Sequence, residues 1–218
     1  MKKSGKYDTS SLLENQFEPG SGGRVLSNLL GIKSKRRMDK LEALAYAKVF
    51  EKAIRFYGKD RRFLAKDICR IHKRWLGGIY SWGGSYRSVN ISKGNFSFAA
   101  AKHVSELMVG FEKEALAKYT PCKSQPIRAI AGALAVVHVE LVLIHPFREG
   151  NGRLARLLSV LMAFQAGLPA LDFKNIQGRK RDEYFTAVRK GLDRDYSPMK
   201  KIFKEVIERS VRRASGKL

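Results

Sequence analysis

Cysteine is scarce in this sequence. Cys69 and Cys122 are the two present, and their spacing matches no metal-ligand pattern. That excludes a disulfide framework and a zinc module as the organising principle, and suits core or half-buried thiols in a reducing compartment. Acidic residues are few as well: 20 Asp+Glu face 43 Lys+Arg, a formal net charge of +23. Such a field draws nucleic acid, nucleotides, acidic proteins and anionic surfaces alike, so charge alone names no function. The basic clusters, at Lys33–Arg37, Lys59–Arg62, Gly178–Arg181 and near the end, are dispersed and lack the aromatic interleaving of a nucleic-acid binder. They read first as solvated helix faces. No uninterrupted apolar run is long enough to span a bilayer, and the basic start lacks the apolar stretch of a secretory signal. The expectation is a cytoplasmic protein with no membrane partner. Internal repeats and low-complexity tracts are also missing.

What is present is a chain of 218 residues, 44% hydrophobic, enough for one domain with a sizeable core. The arm over 1–34 holds one short helix before the breaker Glu18–Gly23. Apolar residues then recur at helical spacing over Lys35–Phe56, and Gly58 ends the pattern. Phe63–Tyr80 reads as a second helix closed by Gly77 and Gly78. Gly83–Phe98 mixes β-formers with Gly94 and is the hairpin candidate. Helical periodicity returns over Ala99–Tyr119. Ile127–Ile144 is apolar almost all round and predicts the buried axis of the fold. A further helix runs from about Gly152 to Ala166, and two amphipathic helices follow at Arg181–Leu192 and Pro198–Ala214. The class is all-α, a helical bundle with one β-hairpin. Its core spans 35–195, with the C-terminal helix in 196–218.

Between the two central helices stands "IHPFREGNGRLAR", Ile144–Arg156. Gly150-Asn151-Gly152 opens directly into a helix, whose unpaired N–H groups and positive end favour an anion. Arg153 and Arg156 share one face of the first turn. Cations there oppose the helix dipole, which makes sense if a polyanion sits between them; arginine's planar fork suits phosphate. Glu149 would repel that phosphate unless a divalent cation such as Mg2+ bridges the two. His145, fixed before Pro146, is placed to act as a general base. Phe147 reads as an inward anchor. Together these groups describe nucleotidyl or phosphoryl transfer.

The spacing resembles the Fic family signature H-x-F-x-[D/E]-G-N-G-R-x-x-R, with His145, Phe147, Glu149, Gly150, Asn151, Gly152, Arg153 and Arg156 filling all eight defined positions. Tyr86–Ala99 is similar to the family's substrate-positioning flap, and Pro19–Ile32 to the segment preceding many bacterial Fic cores. The resemblance covers roughly 19–192. It implies a Fic fold transferring AMP from ATP to a hydroxyl side chain of a target protein, with flap 84–98 and catalytic loop 145–156. His145 would be the base, and Glu149 the Mg2+ carboxylate. Gly150, Asn151 and Gly152 would form the anion hole, with Phe147 beside them. Arg153 and Arg156 would hold the β- and γ-phosphates. In the flap, Tyr86, Val89, Asn90, Ile91 and Lys93 would align the target by strand addition. Doc-type relatives, which phosphorylate, carry lysine where Gly152 stands, so the glycine favours AMP transfer.

Ser10–Asn15 also fits the family's inhibitory pattern [S/T]-x-x-x-E-[G/N], in which Glu14 would pair with Arg156 and block the γ-phosphate. The plain alternative is a helix start with Ser10 as its cap, and a separate antitoxin would then be the regulator. The basic surface suits an acidic or DNA-associated target. Oligomeric state, including a homo-oligomer, stays open. His138 reads as a packed core residue and Glu140 as a polar group satisfied within the bundle. His72 and His103 read as helix-surface residues, and Trp75 and Trp82 as core and flap-base packing. The competing functions are a non-catalytic anion- or nucleic-acid-binding module and a Fic enzyme that removes AMP or transfers another nucleotide.

Overall fold

The computed structural model describes residues 12–123, 125–177 and 180–216; Ser10 lies outside them. Among the described residues, the arm holds one 3-10 turn, Leu13–Asn15. It closes on itself where the Glu18 carboxylate accepts from the backbone and side chain of Asn28, both at 3.2 Å.

Helix α1 spans Lys35–Phe56, the stretch its periodicity predicts, with Ser34 accepting the Arg37 N–H at its start. Helix α2, Ala65–Leu76, is shorter than expected at both ends. Leu64 stays extended while its N–H is taken by the Asp67 carboxylate at 3.1 Å. Asp67 is fully buried, so its charge needs compensation; Arg61 supplies it at 2.7 Å and Arg70 at 3.2 Å. The hairpin is reduced to β1, Ser92–Lys93, and β2, Phe96–Ser97, antiparallel with Lys93 opposite Phe96. Gly94 turns it with φ 58°, where a side chain would be strained.

The Ala99–Tyr119 helix is interrupted. It begins as a 3-10 turn, Ala101–His103, because Asn90 Oδ1 captures the Ala101 N–H at 2.8 Å. α3, Val104–Phe111, then passes through a π-helical turn, Glu112–Leu116, into α4, Ala117–Tyr119. Glu112 in that turn accepts the Ala65 N–H at 2.6 Å and so caps α2.

α5, Ile127–Ile144, is the axis that its composition predicts. It packs on α6, Asn151–Gln165, and α9, Ser197–Ala214, with α7, Lys174–Gln177, and α8, Arg181–Lys190, between them in sequence. By length and composition alone α5 is apolar enough to cross a membrane, contrary to the sequence reading. Its place at the centre of the bundle, with Leu134, Val139 and Leu141 fully buried, accounts for that apolarity. His138 is buried as expected, held by Ser159 at 3.2 Å and Tyr184 at 2.9 Å. Glu140 accepts from the Tyr196 hydroxyl, which satisfies it within the bundle. Among the described residues, the architecture is a helical bundle with one two-stranded hairpin beside the α5–α6 junction.

Candidate active site

α5 ends and α6 begins through two backbone reversals. His145 terminates α5 with φ 52°, ψ 57°, and Gly150 precedes α6 with φ 87°. A Cβ on Gly150 would lie 2.6 Å from the Trp75 ring, so close approach as well as positive φ requires glycine there. Between the reversals, Asn151 is a clamp. Its Oδ1 accepts the Phe147 N–H at 2.9 Å and its Nδ2 donates to the Phe147 carbonyl at 2.7 Å.

Phe147 is fully buried, stacked on His72 with centroids 3.8 Å apart. It is the inward anchor that the sequence suggests and does not line the cavity described below, which corrects its expected place among the nucleotide-binding residues. The Asn151 side chain likewise serves the loop rather than a ligand. His72 is the larger correction. The sequence places it on a helix surface, yet it is fully buried: Nε2 donates to the Glu149 carbonyl at 3.0 Å and Nδ1 accepts the Gly84 N–H at 2.8 Å. It therefore pins the loop to the base of the flap. Its spacing on α2 with Ile68, Ile71 and Trp75, all buried, is the signal that could have shown it. His103 is exposed, as expected.

His145 Nδ1 lies 3.1 Å from the Val142 carbonyl. A carbonyl only accepts, so Nδ1 carries the proton and Nε2 is the lone-pair nitrogen. The ring stacks on Phe98 with centroids 3.6 Å apart. Burial pushes its pKa down to about 4, opposed by the Val142 bond and Glu149 and reinforced by Arg87 and Lys93. The imidazole is thus neutral near pH 7, the state that a base requires.

Arg87 is a functional residue that the motif does not contain. It is 2% exposed and makes no direct ion pair among the described residues, the Glu14 carboxylate acting on it only through space. Its guanidinium donates to the carbonyls of His145 at 2.7 Å, Val89 at 2.7 Å, Ala99 at 2.5 Å and Ile144 at 3.3 Å. A buried cation is thereby compensated by the negative end of α5. The same contacts tie the flap's two roots to the backbone of His145.

A cavity of about 570 Å³ opens between the flap, the loop and α8, within the usual range for small-molecule sites. Among the described residues, five cations line it, Lys93, Arg148, Arg153, Arg156 and Arg189, against one acid, Glu149. Ile91, Phe98, Tyr184 and Phe185 supply an apolar, aromatic side. At the start of α6 the N–H groups of the first turn have no intrahelical acceptor. The N–H of Gly150, just before the helix, is already bonded to Glu149 Oε1 at 2.8 Å, so the N–H groups free to meet an anion are those of residues 151–153. Gly152 faces the cavity, and a Cβ there would stand 3.8 Å from Arg156 Nη1. Arg156 has no hydrogen bond or ion pair from its side chain among the described residues, whereas Arg153 is tied to Glu42 at 2.8 Å.

Of the five flap residues expected to align the target, Ile91 and Lys93 reach the cavity, alongside Ser92, Phe96 and Phe98 of the same flap. Lys93 lies over the Phe185 ring at 4.4 Å. Val89 is buried and Tyr86 half-buried against Phe147, so both belong to the flap's footing, and Asn90 serves as the 3-10 cap already described. Glu14 is not paired with Arg156. Its carboxylate accepts from the Ser88 N–H at 2.7 Å and from the Ser88 hydroxyl, and its carbonyl accepts from Arg148 at 2.8 Å. The Glu14–Arg156 pair that the sequence pattern implies is absent here, with Glu14 bonded to Ser88 instead.

Residues 62–163 match the model of the Fic/DOC family. The chain is similar to protein adenylyltransferase VbhT of Bartonella schoenbuchensis, 32% identical over 163 residues, covering 74% of this chain and 33% of that protein. It is also similar to the protein adenylyltransferase Fic of Culex quinquefasciatus, 31% identical over 147 residues, covering 67% and 28%. The chain spans about a third of the length of these relatives. Among solved structures, the VirB-translocated effector BepC of Bartonella tribocorum, with bound AMPPNP, superposes with a TM-score of 0.69 at 21% identity, covering 90% of this chain and 97% of that one. The N-terminal Fic domain of a Bartonella sp. AR 15-3 effector gives 0.73 at 20% identity over 98% of both. These likenesses bear on the fold.

Proposed function

Because this chain belongs to the Fic/DOC family, with residues 62–163 as its matching domain, we propose that it is a protein adenylyltransferase, moving AMP from ATP to a hydroxyl side chain of a target protein. The single observation that carries the reading is His145, its Nδ1 against the Val142 carbonyl, set on a cavity lined among the described residues by five cations and one acid. Anion binding alone needs no base fixed in one tautomer.

The target hydroxyl oxygen attacks the α-phosphorus while His145 Nε2 accepts its proton. The bond from the α-phosphorus to the bridging oxygen breaks, and pyrophosphate leaves with the electron pair. The first-turn N–H groups of α6 and Arg156 face the charge that builds on the phosphates. The aromatic side of the cavity offers a dry wall for the nucleobase. Arg87 holds the base by its backbone, and the exposed edge of Ser92–Lys93 can accept an extended target segment.

Glu149 would hold Mg2+. No group of three or more metal-ligating side chains occurs among the described residues. One half-exposed carboxylate, with Oε2 unbonded among those residues, fits an ion that otherwise keeps water and substrate phosphate oxygens. When bound, the ion supplies countercharge to the phosphates.

Relatives named protein adenylyltransferase and a neighbour holding AMPPNP support the reading. The test is mass spectrometry of lysate proteins incubated with ATP and the purified chain. Hydroxyl side chains carrying AMP are expected with the wild type and not with His145→Ala. Equal modification by both proteins would refute the assignment.

A further inference from the structure

The motif contains Arg153 but not what holds it. Glu42, near the middle of α1, lies far from the loop in sequence, and its side chain is 6% exposed. Its Oε2 meets Arg153 Nη2 at 2.8 Å, and its Oε1 accepts from the Tyr80 hydroxyl at 2.7 Å. The Glu42 carbonyl accepts from the Trp75 indole at 3.0 Å, and the Trp75 ring underlies the Arg153 guanidinium at 4.5 Å. Tyr46, one turn along α1, completes the cage: its hydroxyl donates to the Arg153 carbonyl at 3.0 Å while its ring meets Trp75 edge-on. Arg153 is therefore held at its backbone and at its guanidinium by side chains from outside the motif.

A carboxylate taken out of water is costly unless it is paired and hydrogen-bonded, and an apolar residue of similar volume often serves packing as well or better. An acid at this place constrains a particular cation. The same Nη2 lies 3.4 Å from Glu149 Oε1, so two carboxylates compete for it. Glu42 is nearer and more buried, and holds the guanidinium flat on Trp75. Without it, the nearest countercharge for Arg153 is Glu149. Arg156, one turn on, has no such tether among the described residues.

We propose that Glu42 is a positioning residue for the phosphate end of the site. It keeps Arg153 against Trp75 and limits its contact with Glu149 to one long ion pair, Nη2 to Oε1 at 3.4 Å. Glu149 Oε2 is then left unbonded in the cavity among the described residues, and Arg156 meets the nucleotide as a cation that no carboxylate among them restrains. The inference rests on the nucleotide-transfer reading above. The plain alternative is that Glu42 is a strut between α1 and α6 with no bearing on the reaction.

A double-mutant cycle on the full chain separates them: Glu42→Gln, Arg153→Gln and both together, with Glu42→Asp as the conservative variant. The rate of AMP transfer to protein is measured as kcat and KM for ATP, and the affinities for ATP and AMP by calorimetry. Glu42→Gln is expected to lower kcat about tenfold, and Arg153→Gln by a similar factor. The double variant should be no slower than the worse single one, because residues acting through each other lose their effect once. Glu42→Asp should recover part of the rate, and AMP affinity should stay within about twofold of wild type, since AMP lacks the phosphates at issue. Additive losses, a parallel loss of AMP affinity or an unchanged rate in Glu42→Gln would each overturn the proposal. Should the wild type transfer no AMP, the proposed function fails, and ATP affinity still decides on Glu42. Its substitution must alter that affinity in the wild-type background and not in Arg153→Gln.

Discussion

Phe147 shows how a motif residue can be necessary without touching a ligand. It is fully buried, and its ring covers His72. Truncating a buried phenylalanine typically costs about 3–5 kcal/mol. Phe147→Ala should therefore lower the unfolding free energy obtained from urea titration by that amount, while Phe147→Leu loses much less. A stability loss below about 1 kcal/mol in Phe147→Ala would show that the ring is not the anchor described. At this scale the sequence was most legible where chemistry is local. His145, Glu149 and the two arginines stand at fixed spacing around one helix junction, so their place could be read without a fold. Their partners could not. Arg87, Glu42 and Trp75 come from other elements, and nothing in their local pattern marks a buried arginine bonded to carbonyls or an acid reaching across to α6.

At the scale of elements, α1 and α5 match their predicted limits because a breaker or a reversal coincides with the end of the apolar pattern: Gly58 follows the first, and His145 ends the second. The flap and Ala99–Tyr119 were harder. Two-residue strands carry almost no period, and the 3-10 start of the following helix depends on Asn90, a side chain outside it. Glu14 belongs to the same class of long-range contact. By accepting from Ser88, it moors the arm to the flap's footing. Glu14→Ala should thus raise amide hydrogen exchange across 84–98 while leaving α5 unaffected. Unchanged exchange in the flap would remove that role.

For the whole molecule, burial holds the pKa of His72 and His145 at about 4 and of His138 at about 3, against an ordinary 6.5. Each is neutral when folded and takes up a proton near 6.5 when unfolded. The unfolded chain therefore binds up to three additional protons as pH falls from roughly 6.5 to 4. Stability is full above that window and declines within it, by up to about 4 kcal/mol per pH unit if all three act. Melting temperature should be flat from pH 8 to 7 and fall steeply below 6. A flat profile down to pH 5 would mean that these histidines are not held neutral. The loss is global because the three rings join different elements: His72 links α2 to the loop, His138 links α5 to α8, and His145 ends α5.

The central claim is that this arrangement transfers a nucleotide rather than a terminal phosphate. It is tested most directly by incubating the chain and a cell lysate with ATP labelled at the α-phosphorus or, separately, at the γ-phosphorus. Label from the α position should become covalently attached to protein and disappear with His145→Ala. Label arriving from the γ position alone, or α label that persists without His145, would contradict the account.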